Sequence, residues 1–300
     1  MEQEALPGPV WTANDAANGH FAGFLAACRV IARNRLALAG VIIVTIWLLT
    51  ALLAPYMATH DAYEISIATR LQDPSSSHWL GTDYLGRDTY SRIVFGARTA
   101  FQVAIGAVFL GAFFGIPIGA ISGFAGRWVD AALMRVMDAI MAFPGRLLAI
   151  ALVASLGGGL FPLYIALGVN SIPSYARIVR GAVLSQKEKE YVEAARMTGE
   201  SDFSILFFQV LPNCLSPLLV RLSLDFGNAI LAESSLSFLG LGLPPPTASW
   251  GLMLKEVTPF LQLQPMAAFF PGLTISLIIL GFNLLGDGLR DVFDPRQYDR

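Results

Sequence analysis

The sequence predicts an all-α protein that crosses a membrane about six times and keeps both termini on the cytoplasmic side. Apolar residues make up 55% of the 300 positions and charged residues only 14%, whereas soluble domains typically carry about 25% charged residues. Six apolar stretches are long enough to cross about 30 Å of hydrocarbon as helices. The distribution of basic residues sets the orientation.

The predicted spans cover residues 36–56, 99–123, 132–156, 160–180, 213–233 and 268–288. Positively charged loops are retained in the cytoplasm. With the N-terminus inside, the inner segments hold twelve Arg and Lys residues, counting Arg177 and Arg180 at the inner end of the fourth span, and the outer segments hold five. Pro144 and Pro173 are expected to kink or interrupt their helices, because proline removes a backbone donor.

Three regions follow from this pattern. Residues 1–22 form a flexible cytoplasmic tail, 23–95 hold the first span and an extracytoplasmic linker, and 96–300 form the core with five spans. The tail opens with MEQEALPGPV, which has acidic residues where a secretory signal carries positive charge. We therefore expect an uncleaved N-terminus.

Several classes of function are disfavoured by the composition. A net charge of -2 with 20 basic residues against 22 acidic ones gives no surface for nucleic acid. Cys28 and Cys214 lie far apart and predict neither a disulfide nor a metal site. The three histidines, His20, His60 and His78, look scattered, so we expect no metal site. The sequence shows no pairing of a nucleophile with a base, so we predict no catalytic residue.

The most distinctive segment is the inner loop between spans four and five, which contains YVEAARMTGESDFSILFFQVLPN at 191–213. Tyr191 to Met197 reads as a short helix, Gly199 as a left-handed stop, and Ser201 or Asp202 as the cap of a second helix. One interpretation is an amphipathic connector lying on lipid headgroups. The other is a docking element, since small residues at a helix tip permit close approach of a partner.

Five stretches of this sequence resemble a known family. The EAA at 193–195, Gly199, Ile205 and the LP at 211–212 resemble the EAA loop of ABC-importer permeases. RNRLAL at 33–38, HWLGTDYLGRD at 78–88, SSLSFLGLGLPPPTASWG at 234–251 and NLLGDGLRDVFDP at 283–295 are similar to the dipeptide/oligopeptide/nickel branch, C-type subunit. Together they cover nearly the whole chain.

This resemblance implies a type I ABC importer permease fold in the bacterial cytoplasmic membrane. It implies four partners besides membrane lipid, namely a second homologous permease, two cytoplasmic ABC ATPases and an extracytoplasmic solute-binding protein. The loop, drawn at 184–212, would couple to an ATPase through Glu193, Ala194, Ala195, Gly199, Ile205, Leu211 and Pro212. No cofactor is expected in this chain. ATP and Mg would be bound by the ATPases, since no glycine precedes a lysine here and a phosphate-binding GxxxxGK[ST] loop is missing from the sequence.

Two outer segments are candidates for contact with the partner permease or the binding protein. The first is TDYLGRD, which reads either as a solvated turn with an internal Asp–Arg pair or as an exposed charged patch that includes Arg92. The second, LGLGLPPPTASWG, reads as a gate, a re-entrant loop or a plain loop, with Ser249 capping a short helix and Trp250 at the membrane interface. The candidate residues are Asp83, Arg87, Asp88, Pro245 and Trp250.

Polar residues inside the spans are costly in hydrocarbon and are expected to face the bundle, a partner or water. Asn170, Asn228 and Asn283 are candidates for the translocation pathway, with interhelical hydrogen bonds as the alternative. Arg221 and Asp225 stand four residues apart and are expected to pair, as are Arg135 and Asp138 at a spacing of three.

The transported solute stays open at this point. A di- or oligopeptide is the leading prediction, with a nickel chelate or glutathione as alternatives within the same family. A stand-alone secondary carrier is the rival of a different class. It would need its own coupling residues near the middle of the membrane, for which Asp225 and Glu233 are the candidates.

Overall fold

The computed structural model describes residues 34–293, and in this part the chain is helical without a named strand. The tail at 1–22, Cys28, Arg29, Arg33 and residues 294–300 lie outside the described residues. The main helices are α1 (Arg35–Leu52), α2 (Thr89–Ala125), α3 (Arg127–Met141), α4 (Gly145–Leu156), α5 (Leu160–Gln186), α6 (Glu190–Met197), α7 (Leu215–Leu239), α8 (Trp250–Val257) and α9 (Met266–Phe293).

Four helical segments in the described part are long and apolar enough to cross a membrane: Arg35–Leu52, Thr89–Ala125, Asp202–Leu239 and Met266–Asp291. Helices α3 and α4 together give a fifth span, but they are bent by 82°. The predicted span at 132–156 is therefore broken into two helices, and the interruption expected at Pro144 is confirmed. Pro144 stands at the N-cap of α4, and the bend is expected there because the proline has no N–H to continue α3.

The predicted fourth span, 160–180, falls within α5, a helix of 27 residues that is continuous through Pro173. At about 1.5 Å per residue this helix is long enough to cross the membrane, although it is not among the segments that are apolar enough. Its sequence includes Asn170, Arg177 and Arg180. Part of α5 is buried against other helices, and polar residues of a membrane helix are tolerated where they face the bundle instead of lipid.

Helices α2 and α5 pack closely along a row of glycines in α2. Gly111, Gly115, Gly119 and Gly123 recur every four residues, and their spacing places them on one helix face. A Cβ on Gly115 would lie 2.7 Å from the carbonyl oxygen of Ile172, and one on Gly119 would collide with the carbonyl oxygen of Ala176. Small residues therefore let the two backbones touch.

A leucine at Gly119 is expected to force these helices apart. Overpacking a close interface costs about 1–3 kcal/mol or more, so Gly119→Leu is expected to lower the yield and thermal stability of the purified protein. Gly272→Leu is the matched control, because nothing lies within 4 Å of a Cβ at Gly272. Equal stability of the two variants would contradict this account of the packing.

The first and last helices of the described part lie side by side. A Cβ on Gly288 would collide with Ala37, and a Cβ on Gly40 would lie 2.5 Å from the backbone nitrogen of Leu285. The Asn34 side chain donates to Asp291 over 2.9 Å. The two ends of the described chain therefore meet on one side of the bundle, as the prediction of two cytoplasmic termini requires.

Candidate functional site

The loop after α5 folds as a helix, a sharp turn and a second helical segment. Helix α6 ends at Met197, and Gly199 follows with a φ of +81°, in the left-handed region that glycine adopts at low cost. Ser201 then caps the next turn by accepting a hydrogen bond from the backbone of Ser204. The predicted helix–turn–helix, its glycine stop and its cap are confirmed.

One face of this loop is fastened to the inner ends of α2 and α5. A buried apolar cluster joins the loop to these helices and includes Val192, Ala195, Ile205, Leu206, Val210, Ala120, Tyr175, Val179 and Val183. Val192 and Ile205 are fully buried, and Ala195 is 8% exposed. Since tightly packed side chains transmit displacement, a movement of the loop would be passed directly to α2 and α5.

Polar contacts brace the turn from within. The Glu200 carboxylate accepts from the Ser204 hydroxyl over 2.7 Å and also from the Gln209 side chain. The Thr198 hydroxyl donates to the carbonyl of Ala195 over 2.8 Å. Burial raises the pKa of the Tyr191 phenol, which stays protonated and donates to Gln186 over 3.2 Å. These hydrogen bonds give the turn a defined conformation within this chain.

The opposite face of the loop is exposed. Glu193, Ala194 and Gly199 lie on the surface, and Met197 is 82% exposed. Nothing lies within 4 Å of a Cβ placed at Gly199. The Arg196 guanidinium lies 5.4 Å from the centre of the Phe124 ring at the end of α2. No salt bridge of Glu193 occurs among the described residues, where Arg196 is instead 3.9 Å from Asp202.

The remaining residues of the predicted docking set lie on the same loop. Leu211 is half-buried against the apolar cluster, while Pro212 is exposed in the short turn Leu211–Cys214 that leads into α7. Phe203 and Phe208 are 66% and 73% exposed, which is compatible with contact to lipid headgroups, so the connector interpretation stays open for this face. The loop thus has an anchored face and a free face.

The predicted outer charged patch is folded into the protein. Arg87 and Arg92 are 2% and 0% exposed, and Asp88 is also buried. Arg87 contacts Asp83 over 2.6 Å and Glu256 over 2.7 Å, and Arg92 contacts Glu256 over 3.3 Å. The internal Asp–Arg pair is confirmed, and the prediction of an exposed patch is wrong because Glu256 of α8 covers both guanidinium groups.

Trp250 and Pro245 lie in different environments on the outer side. Trp250 is 1% exposed, and its indole donates to the Ile93 carbonyl over 2.9 Å. It packs where Gly96 leaves room for the ring, so the predicted membrane-interface position is wrong. Pro245 is exposed. Ser249 caps α8 as predicted, since its side chain accepts from Leu252.

The three asparagines predicted for the pathway are all exposed on the surface of the isolated chain. Asn170 lies beside Gly145 at the bend between α3 and α4. Asn228 contacts Asp225 on α7 over 3.4 Å, and Asn283 of α9 faces Gly227. The structure therefore separates Asn170 from the other two, and their role in the pathway stays a prediction.

Several charged residues of the spans are paired within the described part of the chain. Arg221 and Asp225 pair at 2.8 Å, as predicted. The predicted pair of Arg135 and Asp138 is wrong, because Asp138 contacts Arg177 of α5 over 2.6 Å. Glu233 is buried and accepts from Ser237 and Ser249, both over 2.8 Å. Through these hydrogen bonds Glu233 connects α7 to the cap of α8, and the structure does not place Glu233 on a translocation pathway.

Two features were not singled out from the sequence. Arg146 follows the helix break and lines a cavity of about 130 Å³ together with Asn170 and Ser235. A charged residue next to a broken span was the available signal.

The second feature concerns the outer histidines. The prediction that they are scattered is wrong, since the His60 and His78 rings are 4.6 Å apart.

Comparison with known proteins adds to this geometry. Residues 115–298 match the family described as "Binding-protein-dependent transport system inner membrane component", and residues 26–74 match the N-terminal membrane domain of oligopeptide transport permease C. The inward-facing MetNI methionine ABC transporter shares the fold, with a TM-score of 0.56 at 16% identity over 68% of this chain and 97% of the other.

Several curated relatives align over almost the full length. The dipeptide transport system permease protein of Alkalihalophilus pseudofirmus is 44% identical over 90% of this chain and 89% of its own. A glutathione transport system permease protein of Pectobacterium atrosepticum is 43% identical over 88% of both chains. A putative peptide transport system permease protein of Brucella abortus is 44% identical over 89% of this chain and 90% of its own.

The family match covers more than half of the chain, and the fold is that of an ABC importer permease. Proteins of this family lie in the inner membrane and serve as transport subunits, while a separate subunit hydrolyses ATP. The chain therefore belongs to the inner-membrane components of binding-protein-dependent transport systems, the permease subunits of ABC importers.

Proposed function

We propose that this permease carries di- or oligopeptides, or closely related peptide-like solutes, together with a second homologous permease. Two cytoplasmic ATPases, which bind ATP and Mg²⁺, would drive it, and an extracytoplasmic solute-binding protein would deliver the solute. The single observation that carries this proposal is the loop around Ala195, which has one face packed on α2 and α5 and the other exposed.

Coupling to an ATPase requires contacts that differ between two states of the transporter, because a ligand shifts an equilibrium only by its differential affinity. The exposed tip offers a carboxylate at Glu193 and small side chains at Ala194 and Gly199. A partner groove with a basic residue would accept such a tip. The anchored face would then transmit the displacement to α2 and α5.

The solute class is supported by the relatives and by Arg146. Two of the relatives above are named for dipeptides and glutathione, and both of these solutes carry carboxylates. Arg146 lines its cavity beside two neutral polar residues, and a guanidinium binds a carboxylate through two parallel hydrogen bonds. We propose that Arg146 binds a solute carboxylate as the solute passes the helix break.

The test is ATP hydrolysis by the purified complete complex in lipid nanodiscs with its binding protein. Dipeptides, longer peptides and glutathione are offered in parallel. We expect at least one to stimulate hydrolysis. Arg146→Ala is expected to raise the concentration needed for half-maximal stimulation about 10- to 100-fold, because a hydrogen bond to a charged group contributes about 1.5–3 kcal/mol.

Arg135→Ala is the matched control for this experiment, since Arg135 is another exposed arginine of the same broken span. It is expected to behave as the wild type. A complex that no peptide stimulates would overturn the proposed solute class. A peptide response that is identical in Arg146→Ala and the wild type would overturn the role of Arg146 alone.

A further inference from the structure

We infer that His60, His78 and Asp88 form a binding site for one divalent transition-metal ion of the zinc class on the outer side of this permease. The inference goes beyond the proposed function, because it concerns neither the solute nor ATP coupling. One potential ligand atom from each of the three residues lies within 4.8 Å of the others.

The geometry fits a tetrahedral ion. Zinc binds histidine nitrogen at about 2.0–2.1 Å and carboxylate oxygen at about 2.0–2.2 Å, which puts neighbouring ligand atoms about 3.3–3.5 Å apart. Here Nδ1 of His78 lies 2.9 Å and Nδ1 of His60 lies 3.8 Å from the same oxygen, Oδ1 of Asp88. The two distances bracket the required value, and the third pair of ligand atoms lies within 4.8 Å, so side-chain shifts of about 1 Å would complete the site.

The second carboxylate oxygen is already held by other donors. Oδ2 of Asp88 accepts from the backbone and the hydroxyl of Ser91, over 2.8 and 2.7 Å, and from the Thr59 hydroxyl over 3.3 Å. The backbone N–H of His60 donates to the Ser91 hydroxyl over 3.1 Å. Hydrogen bonds of this kind orient metal ligands and strengthen binding, and they leave Oδ1 facing the two imidazoles.

A plain hydrogen bond to the carboxylate would need only the His78 imidazole. The His60 ring lies 4.6 Å from the His78 ring, and its Nδ1 is 3.8 Å from Oδ1 and 3.1 Å from the Thr59 hydroxyl. The site also opens on a cavity of about 170 Å³, which leaves room for a water molecule as the fourth ligand. Asp61 and Glu64 line the same cavity and add negative charge. Imidazole suits zinc, copper, iron and nickel, and zinc also takes carboxylate oxygen as a ligand.

A bound ion would tie three parts of the outer region together. His60 follows the first span, His78 belongs to the linker, and Asp88 is the N-cap of α2. The ion would therefore cross-link the linker to the start of the longest helix described here. Removing it is expected to loosen the segment between His60 and His78.

The test uses the full-length permease in its complex with the ATPases, purified without a histidine tag and stripped with a chelator. Co²⁺ is the probe, because tetrahedral Co²⁺ absorbs visible light, and Zn²⁺ is then added to displace it. We expect one Co²⁺ per permease, displaced by Zn²⁺, and protection of residues 61–77 from protease by either metal. His60→Ala is expected to weaken binding by about 100-fold or more, because even the loss of a partner behind a ligand costs about 10- to 100-fold.

His20→Ala is the control for nonspecific histidine binding and is expected to bind as the wild type. Asp88→Asn is a second variant, because its side-chain oxygen still caps α2 while it loses the charged ligand, and it is expected to lose Co²⁺. His60 is exposed, so His60→Ala should fold. The inference is overturned if the wild type takes up no Co²⁺, or if His60→Ala and Asp88→Asn bind it as tightly as the wild type.

Discussion

Glu193→Ala and Gly199→Val are each expected to reduce ATP-driven uptake more than about 10-fold, while the permease still inserts into the membrane. Glu193 is exposed and has no salt bridge among the described residues, so its loss disturbs no contact seen within them. Removing one partner of a charged pair in an interface costs about 2–5 kcal/mol. ATP hydrolysis by the complex should then no longer follow the solute.

Gly199→Val acts through the backbone. Gly199 has a φ of +81°, which is a genuine outlier for a β-branched residue, while the space around it is open. The valine would therefore shift the turn between α6 and the following segment without a steric collision. Because this turn sets the direction of the exposed tip, the contact with the ATPase would be lost.

Two matched variants separate this effect from general damage. Glu190→Ala removes another exposed carboxylate of α6. Gly181→Val places the same side chain in open space on α5, where no left-handed backbone is required. Uptake and copurification of the ATPase are measured for all four variants. If the Glu193 and Gly199 variants transported as well as these controls, the docking role of the loop would be wrong.

Glu256→Ala is expected to destabilise the outer region by about 3–5 kcal/mol, because removing one partner of a buried ion pair leaves an uncompensated charge. Here two guanidinium groups, Arg87 and Arg92, contact the same carboxylate oxygen. Both arginines are almost fully buried. Asp83 alone would then face two positive charges.

Thermal unfolding of the purified permease measures this loss. Glu256→Gln keeps the shape and one acceptor of the side chain but removes its charge, so we expect a decrease in stability that is smaller than that of Glu256→Ala. Asp73→Ala removes an exposed outer carboxylate and is expected to change stability little, since exposed charges contribute about 0–1 kcal/mol. Equal unfolding temperatures for Glu256→Ala and Asp73→Ala would refute this ion network.

Much of the fold and of the candidate site could be predicted because their signals are local. Four of the spans are continuous apolar stretches, and the loop is defined by a helix, a glycine and a cap within about twenty residues. Gly199 and Ser201 act through their own backbone and their immediate neighbours. Arg221 and Asp225 pair across one turn of helix. Such features depend on residues close in sequence.

The sequence by itself thus determined a helical membrane permease and the position of its exposed inner loop. Only the tertiary structure decided which charged and aromatic residues are buried. Arg87 and Glu256 lie 169 positions apart, and Trp250 reaches the carbonyl of Ile93 across 157 positions. His60 and His78 also meet only in the folded linker. Such pairings depend on how helices pack in three dimensions, and the local patterns of one sequence do not specify that packing.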